Sequence, residues 1–183
     1  MNESALIAEH YAKVLGAEGM PTTWKLGTQG RMPSTFEVLV FEPTSTRAAW
    51  TYATNGMSQQ HDGVAVELHL FSPIKTGSHV ELLTALAHYH LTGEYLDLGH
   101  TVNFGRPWLP GSRCDRGLIS LPYLDGPQLE WIEADSRRIR FLWLIPVTAI
   151  EVEFKEANGL EALEERFESS SFNYLDPTRE SVV

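Results

Sequence analysis

The 183-residue sequence contains a single cysteine, Cys114. An internal disulfide and a thiolate zinc cluster are therefore excluded, and a reducing, cytoplasmic setting is expected. No run of apolar residues is long enough to cross a bilayer. Positive charge is scarce: 14 Lys and Arg stand against 24 Asp and Glu, a net charge of −10. Such a surface repels nucleic acid and anionic lipid, so neither is expected as a partner. The same charge attracts a basic protein, although an acidic balance also serves solubility alone. A phosphate-cradling glycine loop, an HExxH pair and a nucleophile-elbow glycine–serine pattern are all missing. The N-terminus, MNESALIAEHYAKVLG, has early acids and helical periodicity, unlike a signal peptide. With no internal repeat, low-complexity tract or long linker, one domain over 1–183 is expected.

What is present is strong apolar periodicity. Ala5, Leu6, Ala8, Ala12 and Leu15 predict a helix over about 3–15, closed by Gly16. Strands are expected at Phe36–Phe41, ended by Pro43, and at Ala48–Thr54, followed by the turn pair Asn55-Gly56. A third runs from Val64 to Phe71 and stops at Pro73. Val80, Leu83, Leu86, Ala87 and His90 predict a helix from about Ser78 to Leu91, with Gly93 as its stop. The Gly- and Pro-bearing stretch from Gly99 to Gly117 reads as irregular. Short strands are expected at Leu118–Leu121 and Leu129–Glu133, with Asp125-Gly126-Pro127 turning between them.

The most informative run is RIRFLWLIPVTAIEVEFKEANGLEALEERF, from Arg138 to Phe167. Ile139, Phe141, Trp143 and Ile145 make one face apolar, and Leu142, Leu144 and Val147 the other. A strand apolar on both faces belongs inside a sheet covered above and below. Pro146 is expected to end it. Thr148 then offers an N-cap and Glu151 completes a capping box, opening acidic helices over about 148–169 before an irregular tail, 170–183. Strands early, one helix between, strands again and helices last give an α+β fold, with a central mixed or antiparallel sheet packed by helices.

Chemistry-bearing residues are fewer. Of seven histidines, His88 and His90 sit two apart on a helix and face apart, which is poor geometry for joint ligation. His69, His90 and His100 with Glu67 would form a metal site only if tertiary structure gathered them; packed or solvated histidines are the alternative. Cys114 lies between Arg113 and Arg116, which would favour a thiolate, but only His100 is near in sequence as a base. No cofactor, metal or catalytic set is therefore assigned. From Glu151 onward nine acids face three bases, which accounts for six of the ten net negative charges. Ala162, Leu163 and Phe167 are placed to pack inward, with Glu161, Glu164, Glu165 and Glu168 outward. That outer face is either a solubilising surface or a docking surface for a basic partner.

The ordered series AWTYATNGMS, VAVELHLFSP, LLTALAHYHLTGEYLDLGHTVNFG, GLISLPYLDG and the Arg138–Phe167 run resembles the suppressor-of-fused domain family, from about Pro21 to the end. The resemblance is most specific at Gly99-His100-Thr101-Val102 and Ile145-Pro146-Val147-Thr148. It implies a non-enzymatic α+β module that binds proteins. Animal members clasp an extended peptide of a transcription factor, with added strand pairing, between this module and a second domain. This chain has length for the first module only. Single-module members are implied to be immunity proteins that neutralise toxins, often nucleases. By motif, Tyr89 matches an aromatic residue on the central helix that faces the bound peptide. Gly99-His100-Thr101-Val102 matches a glycine–aspartate–histidine–valine turn, with His100 in the aspartate's place, so a carboxylate contact is missing. Trp108 in the following loop is a candidate interface anchor if exposed, and a packing residue if buried.

Three functions follow as expectations. The first is a cytoplasmic immunity protein that binds a basic toxin through the acidic face. The second is a regulatory or scaffold protein that captures an extended peptide at a sheet edge. The third is a metal- or Cys-dependent enzyme.

Overall fold

A computed structural model describes residues 2–25, 32–60, 65–93, 95–134 and 137–183. Helix α1 (Glu3–Leu15) begins where the Asn2 side chain accepts from the Ser4 amide. It ends at Gly16, whose φ of 69° is costly for any residue with a Cβ. Among the described residues eight strands follow: β1 (Met20–Thr22), β2 (Glu37–Phe41), β3 (Trp50–Asn55), β4 (Ala65–Ser72), β5 (Thr101–Asn103), β6 (Arg116–Ser120), β7 (Trp131–Ala134) and β8 (Arg137–Val147). They form one sheet in the order β1-β2-β3-β4-β8-β6-β5, with β7 also paired to β8. All pairings are antiparallel except β4 with β8, which run parallel from Ala65↔Ile139 to His69↔Trp143. The fold is α+β, with a mixed, mostly antiparallel sheet.

Helix α2 (Gly77–Thr92) starts at Thr76, whose side chain accepts from the Ser78 amide. Its Val80, Leu83, Leu86 and Ala87 pack on Val66, Leu68, Leu142 and Leu144 from one face of β4 and β8. On the opposite face, Ile139 and Phe141 meet Ile7, Tyr11 and Leu15 of α1. Farther along that face, Trp143 and Ile145 meet Leu163 and Phe167 of α5 (Leu160–Ser169). Each fully buried side chain of this size contributes roughly 1.5–3 kcal/mol, so β8 is anchored from both sides. Thr148 and Glu151 close the capping box of α4 (Ala149–Asn158).

The structure corrects several sequence expectations. Pro146 does not end β8; it pairs with Gly117 inside the strand. Its carbonyl accepts from Arg179 instead of from β6. A strand residue's nitrogen and carbonyl share one side, so the nitrogen of Pro146 also faces away from the β6 ladder and costs no ladder bond. Leu129 and Glu130 belong to a short helix, α3 (Pro127–Glu130), and only then does β7 begin. The stretch from Gly99 to Gly117 is largely a hairpin: β5 pairs β6, and beyond it the Phe104 and Trp108 amides donate to the Asp115 and Cys114 carbonyls. Val64, expected at the start of β4, lies outside the described residues.

Candidate functional site

β5 closes one end of the sheet, with β6 on one side and, among the described residues, no strand on the other. The Phe104 amide donates to Asp115 across the β5–β6 ladder. Amide direction alternates along a strand, so Val102 faces β6, while the amides of Thr101 and Asn103 face the open edge. Beside that edge lies a groove of about 730 Å³ between β5 and α2. Leu82, Leu86, Leu96, Val102 and Phe104 form its apolar floor. Gly117 makes the floor possible: a Cβ there would stand 2.6 Å from the Phe104 ring and 2.7 Å from Leu144. The rim carries Tyr89, 47% exposed, Tyr95, 55% exposed, and His100, with Lys155 reaching in from α4.

Tyr89 and His100, distant by sequence and singled out only through the family resemblance, thus line one cavity. His100 is exposed; its Nδ1 accepts from the Asp97 amide at 3.3 Å, and its ring lies 5.9 Å from that of Tyr95. Sequence reasoning missed Tyr95, Phe104 and Lys155. The alternation Thr101-Val102-Asn103-Phe104 after a positive-φ glycine, Gly99, was the available signal for a short strand. Nothing local places Lys155 near it.

Trp108 is not an exposed anchor. It is 5% exposed, stacks on His79 at 5.5 Å, and donates its indole N–H to Ser112 Oγ at 3.0 Å. Ser112 also accepts from the Cys114 amide, so this tryptophan locks the hairpin tip inward. Cys114 is buried with Leu70, Trp108 and Leu109. Burial pushes its thiol up from the ordinary value, against the pull of Arg179 and the Ser112 bond. That is the reverse of the thiolate expected from Arg113 and Arg116.

The four residues considered for a metal have other settings. Glu67 is buried and accepts from the Thr54 and Ser58 hydroxyls and from the amides of Gly56, Met57 and Ser58. His90 Nδ1 accepts from the Leu96 amide at 2.8 Å. His69 is fully buried, and burial with Arg47 nearby lowers its pKa to about 3. Among the described residues, no three His, Cys, Asp or Glu side chains gather as a metal site requires. Likewise, no helix among them is long and apolar enough to cross a membrane.

At the acidic end, Glu161, Glu165 and Glu168 are exposed on α5, and Glu164 is half-buried. Glu164 accepts from Ser120 Oγ at 2.6 Å and Tyr123 Oη at 3.1 Å. Burial, with Glu164 close by, pushes the Tyr123 phenol up to about 12. Glu151, counted from sequence among the acids of this end, instead lies fully buried on Arg179.

The chain is similar to proteins of known structure. A SUFU homologue from Neisseria gonorrhoeae FA 1090 has 32% sequence identity and a TM-score of 0.86, over 100% of this chain and 98% of that one. A Sufu–Fu complex contains a chain with 16% identity and a TM-score of 0.72, covering 98% of this chain and 91% of that one. Drosophila Suppressor of Fused has 16% identity and a TM-score of 0.70; the match covers 96% of this chain and 50% of that longer protein. At these lower identities the likeness is one of fold. No curated protein matches the chain. The model of the Suppressor of fused protein (SUFU) family matches residues 33–180, and the chain belongs to that family.

Proposed function

We propose that this chain is a non-catalytic protein-binding module that takes an extended segment of its partner as an additional strand on β5. The observation that carries this reading is the open β5 edge beside the groove. Outward amides on Thr101 and Asn103 supply main-chain donors, while the groove receives alternate side chains of the added strand. The Sufu–Fu complex supports the reading by analogy, since a structural relative there is held in a protein complex. The acidic α5 surface favours a basic partner and would steer it at long range. A basic nuclease toxin meets both requirements, so the chain is proposed to act as a cytoplasmic immunity protein that neutralises one.

The test uses the chain as bait against extracts of its source cell at low and high salt, with the Thr101→Pro variant beside it. Thr101→Pro deletes an outward donor but leaves the β5–β6 ladder bonds in place. A partner captured by the wild-type chain is expected to be lost from Thr101→Pro and from Tyr89→Ala. Binding of that partner is also expected to protect the Thr101 and Asn103 amides from hydrogen exchange. Undiminished capture by Thr101→Pro would overturn strand addition. Capture that is indifferent to salt would remove the basic-toxin assignment.

A further inference from the structure

The sheet face opposite the groove carries a second cavity, of about 400 Å³, where α5 and the chain after it meet β6 and β8. Its walls are aromatic: Tyr123, Trp143, Phe167, Phe172 and Tyr174. Trp143 and Tyr174 meet at right angles with ring centres 5.3 Å apart, and Phe167 stacks on Phe172 at 4.4 Å. Two carboxylates, Glu164 and Glu168, share the rest of the lining with Ser120, Leu124 and Ile145, and among the described residues no lysine or arginine lines it. Glu164 is held in place by Ser120 and Tyr123, which occupy one acceptor position on each of its oxygens and leave others open. The indole N–H of Trp143, itself 5% exposed, has no hydrogen-bond partner among the described residues.

Two cations that act on rings of this pocket belong to other contacts. Arg47 is paired with Asp125, and Arg179 with Glu151. Arg179 also lies over the Phe172 ring, 4.7 Å from its centre, so that ring already presents one face to a guanidinium. Aromatic faces attract a cation through their quadrupole. A carboxylate at the edge of a partly enclosed cavity interacts more strongly with that cation than one in bulk water. Aromatic walls, two carboxylates and no internal cation together select a long, positively charged side chain.

We propose that this pocket receives a lysine or arginine side chain of a basic partner protein, with its stem among the rings and its charge on Glu164 and Glu168. The proposal rests on the reading that the acidic α5 face meets a basic protein. It names a contact separate from strand addition at β5.

The test is an NMR titration of the full chain that follows the Trp143 indole N–H, assigned with a Trp143→Phe variant. The probes are N-acetylarginine amide and N-acetyllysine amide. N-acetylcitrulline amide and N-acetylnorleucine amide are the neutral controls. The cationic probes are expected to shift the indole signal saturably, with affinity about tenfold above the controls. Glu164→Gln combined with Glu168→Gln should abolish that preference while leaving the remaining spectrum dispersed, because the glutamine oxygen accepts from one of the Ser120 and Tyr123 hydroxyls and its NH2 donates to the other. Thr101→Pro and Tyr89→Ala should leave it unchanged. Equal shifts from citrulline or norleucine, or no saturable shift, would overturn the proposal. If the amides saturate the pocket but the captured partner proves insensitive to salt, the pocket stands and the basic-partner reading falls.

Discussion

Replacing Arg179 with methionine tests how the C-terminal segment is held. Its guanidinium donates to Glu151 Oε1 at 2.7 Å and Oε2 at 2.8 Å, and to the Pro146 carbonyl at 3.0 Å. Glu151 is 0% exposed and Arg179 8%. Glu151 further accepts from the amides of Thr148, at 2.8 Å, and Val182, at 3.1 Å. Arg179→Met leaves a buried carboxylate with only those two backbone donors. Breaking one side of such a pair costs about 3–5 kcal/mol. With a urea m-value of about 2 kcal/mol per molar, the unfolding midpoint should fall by about 2 M. Adding Glu151→Gln removes the stranded charge and keeps an acceptor for the capping box, so the double variant should be more stable than the sum of the singles by about 1–3 kcal/mol. The assay is urea denaturation followed by tryptophan fluorescence. A midpoint within about 0.3 M of wild type for Arg179→Met, or simple additivity in the double variant, would refute the reasoning.

Two further outcomes are expected. Burial lowers the pKa of His69 to about 3 and of His79 to about 4, whereas both titrate near 6.5 once unfolded. The unfolded chain therefore binds more protons as pH falls through 6.5, and stability is lost down to about pH 3–4. At pH 5 each histidine accounts for about 2 kcal/mol relative to pH 8. Burial raises the pKa of Glu67 and Asp125, which works in the opposite direction, so urea melts at both pH values should compare His69→Phe with wild type. The drop should shrink by about 2 kcal/mol in the variant; an unchanged drop would remove His69 from the account. Gly117→Ala should destabilise the chain by about 1–3 kcal/mol, because the added carbon overlaps Phe104 and Leu144. It should also displace Phe104 from the groove floor, detectable as shifted Phe104 resonances, and wild-type stability would show that the contact relaxes freely.

Features with local causes were legible in the sequence. The bounds of α1, the cap at Gly16 and the Thr148–Glu151 capping box arise within a few residues, where periodicity and side-chain oxygen placement act directly. The two-faced apolar pattern of β8 likewise announced a covered strand. Tyr89 and His100 entered through resemblance, since no spacing rule links a helix residue to a turn beyond it.

Tertiary structure decided the rest, because those properties depend on neighbours far along the chain. Pro146 continues a strand because its polar backbone faces Arg179, 33 residues away, rather than β6. Trp108 is buried because His79 and Ser112 receive it. Glu151 and Arg179, two surface charges by composition, cancel each other inside the fold. The sequence alone determined an α+β domain with an acidic end and a well-covered central strand. Only packing decided that β5 is an open edge with a groove beside it, and that the acidic end holds an aromatic pocket. Edges and cavities are properties of what lies next to a segment in space, not of the segment itself.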